Sequence, residues 1–370
     1  MKKSNGFKIL IGLLLILIVA AAVLLGITIL NEKQTESKPK QENYNNEEIE
    51  KPQVTQVVEV EEPKTFKGND RPIAVMIDNH KSAMPQAGLN NAYLVYEIIV
   101  EGGETRLMAL FKGTNLEKIG PVRSSRHYFL DYALENDAIY VHYGWSPQAQ
   151  SDITKLGVNN INGITESTKS FWRTTDKYAP HNVATSTQKI LEIAARKGYN
   201  ITSNKKSVLN YVAKEVDLGG NIEATKVTIP YSDYNTVSYE YDGVTKRYTR
   251  YSRNTKQTDW TTGETVTTKN IIVVKCRNWT LNDGSNAGRQ SIDNIKTLEG
   301  YYITNGKAIQ ITAEKNSRSG QTVYRDLLGN EIDVNDGNTF IQICPIDSKV
   351  KIEPGVPEQT TATIGNTINN

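Results

Sequence analysis

Between Ile9 and Leu30 lie 22 residues without a charge. At about 1.5 Å of rise per residue, a helix of this length reaches across the ~30 Å hydrocarbon core of a bilayer. Lys2, Lys3 and Lys8 precede the run and no acidic residue does. That charge asymmetry keeps a short N-terminus in the cytoplasm and places the rest of the chain outside. A cleaved signal peptide is the rival reading: Ala20, Ala21 and Ala22 resemble a small-residue cleavage site. The apolar run continues through Val23, Leu24, Leu25, Ile27, Ile29 and Leu30, which favours a retained anchor. The expected localisation is therefore the cell membrane, single-pass, with the folded part extracellular. Cytosolic cofactors and ATP supply fall away with that topology.

The formal net charge is +2 and the pI about 8.2. A nucleic-acid binder ordinarily shows a strongly basic domain or stripe, so no nucleic-acid partner is expected. Two cysteines, Cys276 and Cys344, end or sit in apolar strand-like runs. An extracellular location permits a disulfide, while buried inert thiols are the ordinary alternative. The sequence leaves the choice open.

Residues 1–8 read as a cytoplasmic tail and 9–30 as a transmembrane helix. Residues 31–67 are rich in Glu, Lys, Gln, Asn and Pro, cannot bury enough apolar surface to fold, and read as a disordered tether. Residues 68–215 form an N-terminal domain of mixed α/β or α+β type. Ile73–Ile77 is a short strand ending at Asp78-Asn79. Ala92–Val100 and Thr105–Lys112 are paired strands about a Gly102-Gly103 turn. Helices are expected over about 125–136, over Ser146–Leu156 with Ser146 as N-cap, and over Ser186–Lys197 closed by Gly198. Residues 216–353 are dominated by Thr, Tyr and Val with recurrent turns such as Asn305-Gly306, and should be mainly antiparallel β. Residues 354–370 form a second disordered tail.

Chemistry concentrates in the first domain, which holds all four histidines, His80, His127, His142 and His181. The run Gly120-Pro121-Val122-Arg123-Ser124-Ser125-Arg126 sets two arginines about a serine pair at an expected helix start. A cation in a first turn opposes the helix dipole, a cost expected where function overrides local preference. Arg123, Ser124 and Arg126 thus make a candidate anion cradle. The competing reading is that a carboxylate of the same domain, Glu97 or Glu101 among them, fills it. Glu97 and Glu101 share a strand parity with Tyr93, Val95 and Ile99. Two Glu on one strand are commonly a solvated face; as a functional pair they would act as acid and base, or hold Mg²⁺ or Ca²⁺ together with Asp78. Asp78 and Asn79 end a strand where open α/β sheets bind ligands, though they are equally ordinary strand-ending turn residues, and Arg106 lies on the return strand close by. His142 and His181 are candidate proton donors. No HxxxH, HExxH, G-x-S-x-G, P-loop or G-x-G-x-x-G occurs, so zinc is not indicated and no catalytic signature is complete.

RPIAVMIDN (71–79), MPQAGLNNAYLVYE (84–97), VEGGETRLMALF (100–111), IGPVRSSRHYF (119–129), AIYVHYGWSPQA (138–149) and APHNV (179–183) together resemble the YerB-like family of candidate lipoproteins of Gram-positive bacteria. NIIVV (270–274) and the stretch 300–345 extend the resemblance into the β-rich part. The family is a two-part domain of unknown function; it implies extracytoplasmic attachment and no known reaction. Its members typically carry a lipobox cysteine, where this chain has the apolar run. Trp145 stands where a second Gly is common, adding bulk beside His142.

Two functions are open to such a chain. One is an envelope protein without catalysis that binds a cell-wall component or an envelope protein through the polar turns, with the Tyr-rich β region as docking face. It needs no cofactor. The other is an extracytoplasmic hydrolase or transferase acting on a phosphorylated or glycan substrate. There Arg123 and Arg126 hold the charged group, and Glu97, Glu101 or Asp78 hold a divalent cation or act as base.

Overall fold

The computed structural model describes residues 62–219 and 222–355. The expected cytoplasmic tail, membrane helix, most of the tether and most of the C-terminal tail lie outside the described residues. Among the described residues no helix is long and apolar enough to cross a membrane. The last residues assigned to the tether belong to the fold. The backbone N–H groups of Lys64 and Thr65 each donate to Asp336 at 2.8 Å, and Phe66 packs edge-on against Tyr93.

The N-terminal region supplies β1 (Ile73–Asp78), β2 (Leu94–Ile99), β3 (Thr105–Phe111), β4 (Ile139–His142) and β5 (Asn160–Asn162). Its helices are α1 (Phe129–Glu135), α2 (Pro147–Lys155) and α3 (Thr187–Arg196). The Ser146 and Ser186 hydroxyls cap α2 and α3 as the sequence suggests. The helix expected from about residue 125 starts later. Ser125 N–H donates instead to the Gly144 carbonyl, so residues 122–126 form an extended rim strip beside β1 and β4.

The C-terminal region is mostly β and carries no α-helix among the described residues. It does not fold apart. An 11-stranded sheet runs through both regions. In it the strand Thr339–Pro345 lies between Asn270–Cys276 and β2, parallel to both. This parallel joint has no signature in an antiparallel turn pattern, because its paired residues lie 69 and 245 positions apart. β1, β2 and β3 are buried on both faces, which explains their nearly continuous apolar sequences.

Alternate residues of the shared sheet feed two cores. On one face Val75, Ile77, Val95, Val273 and Phe340 pack with α3 and with Val227, Tyr239 and Tyr248 of a second, six-stranded sheet. On the other, Met76, Tyr96, Ile98, Ile272 and Ile341 pack with Phe129, Leu130 and Ala133 of α1. Tyr231, Tyr239, Tyr248 and Tyr302 are buried, their hydroxyls hydrogen-bonded inside. Much of the tyrosine content is therefore core, not a docking face. Cys276 and Cys344 are free and buried on opposite faces of the same sheet. Cys344 sits opposite Lys275, one residue out of step with Cys276, so the sheet itself separates the thiols.

Candidate functional site

β1 delivers Asp78 at its C-terminal end, and the strip 122–126 runs antiparallel beside it through the Ile77–Val122 bridge. Asp78 is buried yet engaged on both oxygens. Oδ1 accepts from the His80 backbone N–H at 3.1 Å. Oδ2 accepts from His181 Nδ1 at 2.8 Å and faces Arg123 Nε at 3.2 Å. That bond makes Nδ1–H the donor to Asp78 and leaves Nε2 for a ligand. His80 stacks on His181, ring centroids 4.5 Å apart and 13° from parallel. Burial lowers the His80 pKa, with Glu104 and Asp78 pulling upward and His181 and Arg253 downward. His80 Nδ1 accepts from Ser82 N–H at 3.1 Å, a bond only the deprotonated nitrogen can make.

The arginines divide. Arg106 is buried, donates to the Ser124 carbonyl at 2.5 Å and lies 3.6 Å from Glu101. Burial and neighbouring Arg126 bring its pKa down to about 10. Arg126 pairs with Glu101 and donates to its neighbour's Ser125 carbonyl at 2.7 Å. Burial alone would raise the Glu101 pKa, but Arg126 and Arg106 hold it below the ordinary carboxylate range. Arg123 is different. Its side chain is 25% exposed and its ion pair with Asp78 is through Nε, so both terminal nitrogens of the guanidinium fork are uncommitted among the described residues.

Several expectations therefore need correction. The anion cradle contains no helix N-terminus, since the N–H groups of Arg123 and Ser125 are taken by the Met76 and Gly144 carbonyls. Ser124 spends its hydroxyl on the Tyr143 carbonyl. Arg126 and Arg106 are occupied by the domain's own Glu101, the competing reading. Glu97 and Glu101 do not act together: Glu101 lies in the turn, whereas Glu97 is fully buried with Arg250 at 2.6 Å, Asn79 at 3.0 Å and Thr105 at 2.7 Å. Asn79 is turned inward toward that network and offers no side-chain group to the cleft. With Glu97, Glu101 and Asp78 each held by an arginine, they do not fit a divalent cation. Among the described residues no three His, Cys, Asp or Glu side chains are grouped to hold a metal. His142 is buried in the fold, bonded to the Gly144 carbonyl at 2.8 Å and Asn160 at 3.2 Å, with Trp145 5.4 Å away. Burial pushes its pKa down to about 4.

Two residues missed in the sequence come from the β-rich region. Arg250 supplies the buried partner of Glu97. Arg253 donates to the Asn79 carbonyl at 3.2 Å and pairs with Glu104 at the cleft edge. Arg253 did leave a trace: it and Asn254 turn a hairpin with φ of 51° and 60°, a place that ordinarily selects Asn or Gly. His181 also lines an open groove with Lys177, Tyr178 and Trp260.

Two family profiles match this chain, the N-terminal domain of "Protein of unknown function (DUF3048)" over residues 58–200 and its C-terminal domain over 227–341. The candidate lipoprotein YerB of Bacillus subtilis (strain 168) is 31% identical over 296 residues, covering 77% of this chain and 84% of that protein. The crystal structure of the YerB protein from Bacillus subtilis superposes with a TM-score of 0.68 at 30% identity, covering 76% of this chain and 94% of that one.

Proposed function

The chain belongs to the DUF3048 family, and from that premise we propose an envelope-associated binding protein whose cleft at the end of β1 takes an anionic group. The ligand is a cell-wall component or an envelope protein. Likeness to a protein named as a lipoprotein supports envelope association. In this chain the apolar run Ile9–Leu30 serves as a single-pass anchor, with the N-terminus cytoplasmic.

The observation that carries the binding reading is the uncommitted fork of Arg123 beside two stacked imidazoles. A planar guanidinium with both ends open matches a carboxylate or phosphate bidentately. Asp78 holds that fork in place through Nε while leaving its terminal nitrogens to a ligand. The test is titration of the full-length protein in detergent with inorganic phosphate and pyrophosphate, followed by NMR. Shifts at Arg123 and His181 that vanish in Arg123→Ala are expected. An unmoved Arg123 amide at saturating pyrophosphate refutes the site.

The Asp78–His181 pair favours a second reading, an extracytoplasmic hydrolase or transferase on a phosphorylated or glycan substrate. A carboxylate on Nδ1 orients an imidazole whose Nε2 moves a proton to or from the reacting group. That version needs no metal. Release of product from a phosphorylated wall polymer by native protein but not by His181→Gln, with phosphate binding retained, selects it over binding alone.

A further inference from the structure

His181 belongs both to the anion cleft and to a groove of about 620 Å³ between the 82–85 turn, the 176–181 loop and Trp260. The groove is within the size range of small-molecule sites. Its walls are aromatic and cationic at once. Tyr178, on the groove's lining, is 89% exposed, a large ring open to solvent. Trp260 is oriented by an Nε1–H bond to Asp176 at 2.7 Å. The Lys118 and Lys177 ammonium groups sit 4.6 and 4.5 Å from its ring centroid. Lys177 is itself fixed by donating to the Met84 carbonyl at 2.7 Å. Burial lowers the Lys177 pKa, with Lys118 adding to the effect and Asp176 opposing it.

We infer that this groove takes the sugar ring of a phosphorylated saccharide whose phosphate lies on Arg123 and His181; the inference rests on the anion reading above. A pyranose has an apolar C–H face that packs on an aromatic ring, and hydroxyls at its edge that need polar partners. Tyr178 supplies the open ring; Trp260 carries the two lysine ammonium groups on its π system and so positions Lys177, with Asp176 and Ser82, as edge groups. The lysines continue the positive field of Arg123 along the groove, which favours an anionic ligand over a stem peptide carrying amines. A bilayer surface would call for a broad apolar patch, whereas this is a concave wall with charged margins.

Calorimetry on the full-length protein in detergent separates the two layers of the argument. The probes are N-acetylglucosamine 1-phosphate, N-acetylglucosamine and inorganic phosphate. The sugar phosphate should bind at least about tenfold more tightly than inorganic phosphate. Tyr178→Ala and Trp260→Ala should each erode that advantage and leave inorganic phosphate binding unchanged. Tyr178 is so exposed that its replacement leaves the fold intact, which protects the test from misfolding. Equal affinity of the two phosphate probes in native protein overturns the groove while the anion site stands. Binding of the plain sugar with no binding of either phosphate probe overturns the anion reading and with it this inference. Displacement of the sugar phosphate by D-alanyl-D-alanine at equal concentration assigns the groove to peptide and likewise overturns the proposal.

Discussion

Glu97 and Arg250 form a fully buried ion pair between the shared sheet and the second sheet, and its removal is the sharpest test of how the two regions are held. The Arg250 guanidinium lies 5.3 and 5.7 Å from the Phe340 and Tyr239 ring centroids, so little water reaches it. Opposite charges about 4 Å apart at an effective dielectric of ~20 attract by about 4 kcal/mol. Replacing one member strands the other in the core, which costs about 3–5 kcal/mol. Glu97→Gln does this, since it removes the carboxylate charge on which Oε2 accepts from Arg250 at 2.6 Å. For a unit of this size, near the lower limit of ~2 °C per kcal/mol, the melting temperature should fall by roughly 6–10 °C. Arg250→Met should cost about as much by leaving the carboxylate alone. The double variant should cost clearly less than the sum, with coupling of at least about 2 kcal/mol. Urea unfolding followed by circular dichroism, with thermal melts in parallel, reads all four proteins. Additive losses, or a Glu97→Gln melt within about 2 °C of native, would show that the pair does not clamp the sheets.

Three further outcomes are expected. His127 and His142 are buried with pKa values pushed down to about 4 by desolvation. The unfolded chain takes up their protons below about pH 6.5 while the folded chain does not, so stability falls as pH drops from about 6.5 toward 4, by on the order of 2 kcal/mol per ring at pH 5; urea midpoints that stay flat between pH 7.5 and 5 refute it. Burial pushes the Cys276 thiol up to about 12 and Cys344 to about 11, and the sheet stands between them. Neither should react with a maleimide in the folded protein, and a crosslinked band after glutathione oxidation would contradict that placement. A Cβ at Gly300 would sit 2.1 Å from the Val273 carbonyl oxygen in the adjoining strand; Gly300→Ala should cost about 3 kcal/mol, the upper range for overpacking, and unchanged urea unfolding would count against the strand register.

Local features were legible because they are written in neighbouring residues. Ser146-Pro147 and Ser186 start helices through short-range hydrogen bonds, and Asn305-Gly306 turns its hairpin with φ of 50° and 73°. The Asp78 and His181 candidates were legible by type, each marked by a turn or a proline. Their meeting was not, since it joins positions 103 residues apart in sequence. Arg126 misled for a related reason. A cation beside an expected helix start looks uncompensated in one dimension, and Glu101 compensates it across a gap of 25 residues. Glu97 carried a true signal, a charge inside an apolar strand that demands a partner. The partner came from the β-rich region, 153 residues onward, which the sequence pattern marks as a docking face and not as part of the polar site.

The position of Thr339–Pro345 has a bearing on biogenesis. Until that segment has been synthesised and delivered, β2 and Asn270–Cys276 each present a bare hydrogen-bonding margin with nothing between them. A chain emerging during synthesis thus stays unzipped until nearly its whole length has arrived. Fragments cut between the two regions should be sticky intermediates, not independent modules, and a nascent chain has a window in which escort by a chaperone matters most.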